Sequence, residues 1–266
     1  MAKKEDPLHP SMTVIAEIGD DKVKKIHDLC KSIDIIGINS YGGAFTVRER
    51  YLKQGGTKPY VITEFGPLGP WEVQKTPWGA PIEHSSTEKA EFYRKAYKAA
   101  VQDAPGLCLG SYVFLWGQKQ EATATWFGMF LENGQRLEAT DTMKELWTGK
   151  QASDKCPKIT TLSISPADGL KPGQTIRANL VASDPEGKKL SVKWLLKSEA
   201  KVQLTAGQSE PKVQEYPDAV RSATTTHAEV TLPSQPGEYR LFAYVSDPAG
   251  GAAVTNIPLR TSQNRP

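Results

Sequence analysis

An α/β half followed by an all-β half is the fold class this sequence predicts, on three observations. Between residues 11 and 150, short apolar runs alternate with helical patterns. Beyond residue 158 the helical period disappears, and strand-like runs follow one another between Gly/Pro turns. Between the halves lies QASDKCPK (151–158), polar and broken by Pro157, which reads as a linker. The expected domains are therefore 1–150 and 159–266.

In the first half, SMTVIAEIG (11–19) reads as a strand and DDKVKKIHDLC (20–30) as a helix, with Val23, Ile26 and Leu29 on one helical period. IDIIGINSY (33–41) is a nearly continuous apolar run, as for a strand buried on both faces of a parallel sheet. VRERYLKQ (47–54) is a short helix closed by Gly55-Gly56, and PYVITEFG (59–66) a further buried strand. Ser85 and Glu88 have capping-box spacing and open a helix to about Asp103. LGSYVFLWG (109–117) is another buried strand, and Asp141 to Leu146 a last short helix, with Trp147 as a packing anchor. This βαβαβαβα order predicts parallel strands with helical crossovers, four βα units in all.

The second half predicts strands over 159–165, 175–183, 190–196, 226–232, 238–247 and 252–260, with turns such as PADG, DPEGK and DPAGG between them. Many short strands with such turns indicate an immunoglobulin-like β-sandwich with Trp194 in its core. No cysteine pair flanks that tryptophan, so an antibody-type disulfide is not expected. Asp184 and Asp247 open turns that can offer oxygen ligands to calcium, but turn-making alone is the simpler reading, and the domain is expected to be a spacer.

Composition narrows the function. With Lys+Arg 33 and Asp+Glu 30, the formal charge is 33 − 30 = +3, and no basic block stands out, so nucleic acid is not an expected partner. No apolar run is long enough for a transmembrane helix. MAKKEDPLHP has no apolar segment after its lysines, so no signal peptide is expected in this chain. Cys30, Cys108 and Cys156 are widely spaced and read as inert thiols, two of them in apolar surroundings. The four histidines form no metal motif; neither metal nor cofactor is expected.

Functional groups of parallel barrels project from the C-terminal ends of strands. Three predicted strands end in such groups: Asn39-Ser40-Tyr41, Glu64-Phe65-Gly66, and Trp116-Gly117-Gln118-Lys119. Glu64 is suited to attack an anomeric carbon and form a glycosyl-enzyme intermediate. Tyr41 is placed to hydrogen-bond to it, and Trp116 to stack on a sugar ring. The long loop GPLGPWEVQKTPWGAPIEHSST adds Trp71 and Trp78, and such loops commonly carry function. Lys119 and Glu121 are candidates for binding sugar hydroxyls.

DIIGINSYGG, TKPYVITEFGP and GSYVFLWGQKQEATATWFGMF resemble the last strands of retaining (β/α)8-barrel glycoside hydrolases, with the glycoside hydrolase family 2 catalytic domain the nearest pattern. The resemblance spans residues 5–150 and implies strands 5–8 of such a barrel, that is, a partial (β/α)8 (TIM) barrel followed by an immunoglobulin/PKD-like sandwich. It implies Glu64 as the nucleophile, with Gly37, Asn39 and Tyr41 matching the family's G-x-N-x-Y segment and Trp116 its strand-8 tryptophan. It also implies an oligosaccharide or polysaccharide substrate with a β linkage, and an extracellular or periplasmic parent protein.

The departures matter equally. The family's acid/base glutamate sits in an Asn-Glu pair, and no Asn-Glu dipeptide occurs here. A full barrel takes about 250 residues, so strands 1–4 are unaccounted for. Glu17, Glu72, Glu83 and Glu121 are the available substitutes for the acid/base, with none preferred. A four-stranded piece leaves open edges and an uncovered face, so another half barrel is expected, from an upstream segment, a second copy or a separate chain. Two classes therefore stand: a retaining hydrolase or transglycosidase, and a noncatalytic carbohydrate-binding or scaffold protein derived from one.

Overall fold

The computed structural model describes residues 2–201 and 210–262, so the outer limits expected at 1 and 266 lie outside the described residues. Contacts divide the chain into two compact units. One holds the residues up to Gly69 together with Phe92–Phe114; the other holds Pro70–Glu91 together with Leu115 onward.

The first unit begins with a short helix, α1 (Ala2–Glu5). There follow β1 (Met12–Ala16), α2 (Lys22–Leu29), β2 (Ile35–Asn39), a 3-10 turn over Gly42–Thr46, α3 (Val47–Lys53) and β3 (Tyr60–Phe65). The helix α4 (Ser86–Tyr97) continues as a π turn over Lys98–Gln102 and leads to β4 (Cys108–Val113). The division between the units at 91/92 falls inside α4. The strands pair in the order β1-β2-β3-β4, every pair parallel, as the alternation of elements predicted.

Alternation along each strand sends successive side chains to opposite faces. On one face Ile36, Ile38, Tyr60 and Ile62 are fully buried, and the Tyr60 hydroxyl donates to the Ala100 carbonyl at 2.7 Å. On the edge strands the other face is open: Met12 and Val14 are 46% and 49% exposed, Leu109 and Tyr112 59% and 66%. The burial read from the run 109–117 therefore fails on one face of β4, an edge strand. Gly37 sits between Val14 and Thr63, and a Cβ there would lie 2.8 Å and 2.9 Å from their methyl carbons, so only glycine fits without a shift.

The second unit contains β5 (Arg136–Leu137), α5 (Glu138–Thr148), β6 (Lys158–Ser165), β7 (Thr175–Ser183), β8 (Ser191–Ser198) and β9 (Glu215–Tyr216). It continues through β10 (Val220–Ala223), β11 (His227–Thr231), β12 (Gly237–Ser246) and β13 (Gly251–Thr261). Two sheets form, β10-β11-β7-β6 and β5-β13-β12-β8-β9. Their facing sides enclose Ile176, Leu180, Trp194, Leu196, Leu241 and Val245, so Trp194 is a core residue of a β-sandwich as expected.

The fourth βα unit does not form as expected. After β4 the chain leaves the parallel sheet: β5 joins the sandwich as a parallel partner of β13, and α5 belongs to the same unit. The reason is apolar burial. Leu131 and Leu137 cluster with Phe242, Ala252 and Val254 on the outer face of the five-stranded sheet. Three smaller expectations also change. Leu29 is 80% exposed and Trp147 45% exposed, so neither anchors its helix, and Cys30 is exposed at the end of α2 rather than buried.

Candidate functional site

Glu64 lies near the end of β3, level with Asn39 of β2. The pairing reaches that level through an irregularity: Ile38 opposes Ile62, whereas Asn39 opposes Glu64, so Thr63 is the extra residue. Such a bulge re-aims side chains at a strand end. The Thr63 hydroxyl donates to Asn39 Oδ1 at 2.6 Å, and the Ser40 N–H donates to the Glu64 carbonyl at 2.9 Å. The Tyr41 hydroxyl donates to Glu64 Oε2 at 2.9 Å. Tyr41 is itself set edge-on against Phe114, with ring centroids 6.0 Å apart. Asn39, Tyr41 and Glu64 thus share one end of the parallel sheet, all partly buried.

A second carboxylate stands at the same end. Glu17, just beyond β1 with φ 60°, accepts from the Ser40 hydroxyl at 2.6 Å, from Arg50 Nη1 at 2.8 Å and from the Ile18 N–H at 2.8 Å. Burial pushes its carboxyl up, but the hydrogen bonds from Ser40, Arg50 and Ile18, with the charge of Arg50, hold it below the ordinary 4.5. A carboxylate held ionised in this way donates no proton near neutrality. Gly43 makes room for the pair: a Cβ there would lie 2.0 Å from Glu17 Oε2.

The remaining candidates belong to the second unit. Trp116 lies beyond the end of β4, is 55% exposed, and leans against Phe130 with centroids 5.3 Å apart. Trp71 is 60% exposed, with its ring 6.3 Å from Phe127. Trp78 is half-buried, and its indole nitrogen makes no hydrogen bond. Lys119 and Glu121 pair with each other at 2.8 Å. So the structure brings Asn39, Tyr41 and Glu64 together in one unit, and holds Trp71, Trp78, Trp116, Lys119 and Glu121 in the other.

The other substitutes for the acid/base divide in the same way. Glu72 is exposed. Glu83 is buried beside Lys89, with only 1% of its side chain exposed. Glu83 Oε2 accepts from Thr123 at 2.7 Å and Asn256 at 2.6 Å, and its Oε1 from Thr125 at 2.9 Å. Burial pushes this carboxyl up, yet the charges of Lys89 and Arg240, with the hydrogen bonds from Lys89 and Thr123, leave it below the ordinary 4.5. Arg240 in turn grips Glu199 through both carboxylate oxygens and donates to Asn256 Oδ1 at 2.7 Å and the Pro81 carbonyl at 2.9 Å. Sequence reasoning missed this network. The signal available was an arginine in step with Phe242 and Tyr244 in the period-2 alternation of EYRLFAYVSD.

The turn aspartates brace backbone. Asp184 Oδ1 accepts from the N–H groups of Glu186 and Lys188, and Asp247 Oδ1 from those of Ala249 and Gly251. Among the described residues no group of three or more His, Cys, Asp or Glu side chains is arranged to hold a metal ion.

No family model matches the sequence, and no curated protein matches it. Solved structures to which it is similar include an endo-1,4-beta-xylanase from Caldicellulosiruptor owensensis, at 17% identity over 52% of this chain and 49% of that one, with a TM-score of 0.36. A GH30 endoxylanase from Clostridium papyrosolvens C71 aligns at 11% identity over 95% of this chain and 57% of its own, with a TM-score of 0.30. The PKD1 domain of Vibrio anguillarum Epp aligns at 10% identity over 41% of this chain and 98% of its own, with a TM-score of 0.25. The chain spans only 49% and 57% of the two xylanases.

Proposed function

We propose that the chain is the carbohydrate-active part of a retaining glycoside hydrolase or transglycosidase acting on a β-linked glycan, with Glu64 as nucleophile. The observation that carries the reading is the Tyr41 hydroxyl donating to Glu64 Oε2 at 2.9 Å, at neighbouring ends of parallel strands. This bond fixes one carboxylate oxygen and leaves the other to attack C1 of a sugar. Asn39, oriented by Thr63, offers an amide beside it. Retaining chemistry needs a second carboxyl about 5–5.5 Å away to protonate the leaving oxygen. Glu17 is committed to Arg50 and Ser40, Glu83 to its buried network and Glu121 to Lys119, and on this reading a half barrel outside this chain supplies the acid/base.

An activated aryl β-glycoside tests the reading, because its leaving group departs without a proton. A Glu64 oxygen bonds to C1, the C1–O bond breaks, and its electron pair leaves on the phenolate. The expected result is one equivalent of phenol released and a glycosyl ester mapped to Glu64, both absent in Glu64→Gln. On natural glycans the chain alone falls short by about 10²–10⁴-fold for want of acid help. A label on another residue, or ready hydrolysis of unactivated polysaccharide by this chain alone, overturns the assignment.

A second reading, a noncatalytic carbohydrate-binding protein descended from such an enzyme, is favoured by one observation, the commitment of Glu17 to its ion pair. No covalent ester on Glu64 together with retained glycan binding selects it.

A further inference from the structure

We propose that a cleft on the outer face of the sandwich's five-stranded sheet binds a short stretch of neutral glycan. The cleft lies between the 118–135 segment and strands β8 and β12, and encloses about 410 Å³. That is within the range of about 300–1,000 Å³ usual for small-ligand sites. Every residue lining it belongs to the second unit, and none is among the candidates around Glu64.

Its floor is formed by strands β8 and β12, with Lys193 and Lys197 flanking Leu195 on β8. Leu195 of β8 is buried there, beside Tyr244 of β12, whose ring stacks on Phe242 at 5.8 Å with planes 13° apart. A supported aromatic face of this kind suits the CH face of a sugar ring. Its walls are amides and hydroxyls: Gln118, Asn133, Gln135 and Ser246. These groups are already oriented by one another. Gln135 Oε1 accepts from Ser246 Oγ at 3.0 Å and from Asn133 Nδ2 at 2.8 Å, while Gln118 Nε2 donates to the Ala124 carbonyl at 3.2 Å.

The orientation leaves a mixed set of open groups. Among the described residues, Gln118 Oε1 remains as an acceptor, and Gln135 Nε2 and the Tyr244 hydroxyl remain as donors. Burial, and then the nearby carboxylates of Glu83, Glu215 and Glu132, push the Tyr244 phenol well up, so it stays protonated and able to donate. Sugar hydroxyls both donate and accept, and such a set satisfies both roles. Charge narrows the class further. Lys197 is paired with Glu215 at 2.8 Å, and Lys193 and Glu132 add one charge of each sign, so the lining is neutral on balance. With two lysines against two carboxylates, the lining has no net attraction for a polyanion.

The test uses the full chain carrying Glu64→Gln, so that no ligand is turned over. Xylohexaose, cellohexaose and mannohexaose are titrated calorimetrically, with trigalacturonate as the acidic comparison, and hydrogen exchange maps the bound state. At least one neutral hexasaccharide binds and protects 131–135 and 193–197. Tyr244→Phe, which keeps the ring, and Gln135→Ala each weaken that binding about 2–10-fold, the worth of one hydrogen bond, with the urea midpoint unchanged. Three outcomes overturn the proposal: no protection there with any neutral probe, an affinity indifferent to Tyr244→Phe, or tighter binding of trigalacturonate. The role of Glu64 is read separately, from the covalent aryl-glycoside experiment, so each idea can fail without the other.

Discussion

Replacing Lys89 by Met strips one charge from the interior of the second unit and keeps the aliphatic stem. The Lys89 and Glu83 side chains are 8% and 1% exposed. Lys89 Nζ donates to Glu83 Oε1 and to the Thr125 carbonyl, and sits 5.8 Å from the centre of the Trp126 ring. Without it, Glu83 retains the hydrogen bonds from Thr123, Thr125 and Asn256 but loses its adjacent counter-charge. Leaving one partner of a buried pair costs about 3–5 kcal/mol, a large part of the 5–15 kcal/mol typical of a whole domain. Removing the orphaned charge as well, in Lys89→Met/Glu83→Gln, returns about 2–3 kcal/mol, since a neutral amide tolerates the same site far better. Urea unfolding followed by tryptophan emission measures both variants, at an unchanged denaturant slope. The pH dependence has a definite sign. The carboxyl of Glu83 lies below 4.5 in the folded chain, so the pair's stabilisation is present above that pH and is lost as pH falls through the folded value. A cost for Lys89→Met below about 1 kcal/mol, or a double variant no more stable than the single, refutes the buried-charge argument.

Gly43→Ala forces Glu17 and Arg50 apart, because the new methyl would lie 2.0 Å from Glu17 Oε2; the expected loss is about 1 kcal/mol at neutral pH. The difference from the parent closes below pH 4.5 as Glu17 protonates, and a difference that persists in acid removes the ion pair as its cause. On the alkaline side, burial pushes the phenol of Tyr51 from 10.0 up to about 12, and those of Tyr60 and Tyr93 up as well. A raised folded value means stability that is whole below pH 10 and is lost as pH rises towards 12, about 3 kcal/mol for Tyr51 alone. Urea midpoints between pH 9 and 12 should fall less steeply in Tyr51→Phe, and parallel falls would exclude this source.

What could be read from residues alone followed from periodicity and capping. The strand β7 falls on 175–183, as the alternation in TIRANLVAS predicts. The Ser85–Glu88 capping box forms reciprocally, with the Glu88 N–H donating to Ser85 Oγ at 3.2 Å and the Ser85 N–H to Glu88 Oε2 at 2.8 Å. The pairing of Tyr41 with Glu64 was legible because both end parallel strands, where register brings neighbours level. The partners of Glu17 were not legible, since Arg50 and Ser40 meet it only through tertiary contacts. Nor was the fate of 70–91 and 115–150. Their pattern is helical or loop-like, but what they pack against is decided by the outer face of β12 and β13, far away in sequence.

That partition has a consequence for how the gene can be cut or shuffled. The chain passes between the two units at 69/70, 91/92 and 114/115, and the polar stretch at 151–158 is not one of the passages. A recombination junction in that stretch, where the sequence looks modular, would part Pro81 from Arg240, Ser86 from Val254 and Thr87 from Ile159. The sandwich is then no cassette to be exchanged between enzymes or trimmed for expression. Descendants of this chain would inherit or lose residues 70–91 and 115–262 together, and a homologue lacking the sandwich would need new residues wherever Pro81, Glu83 and Ser86 now find their partners.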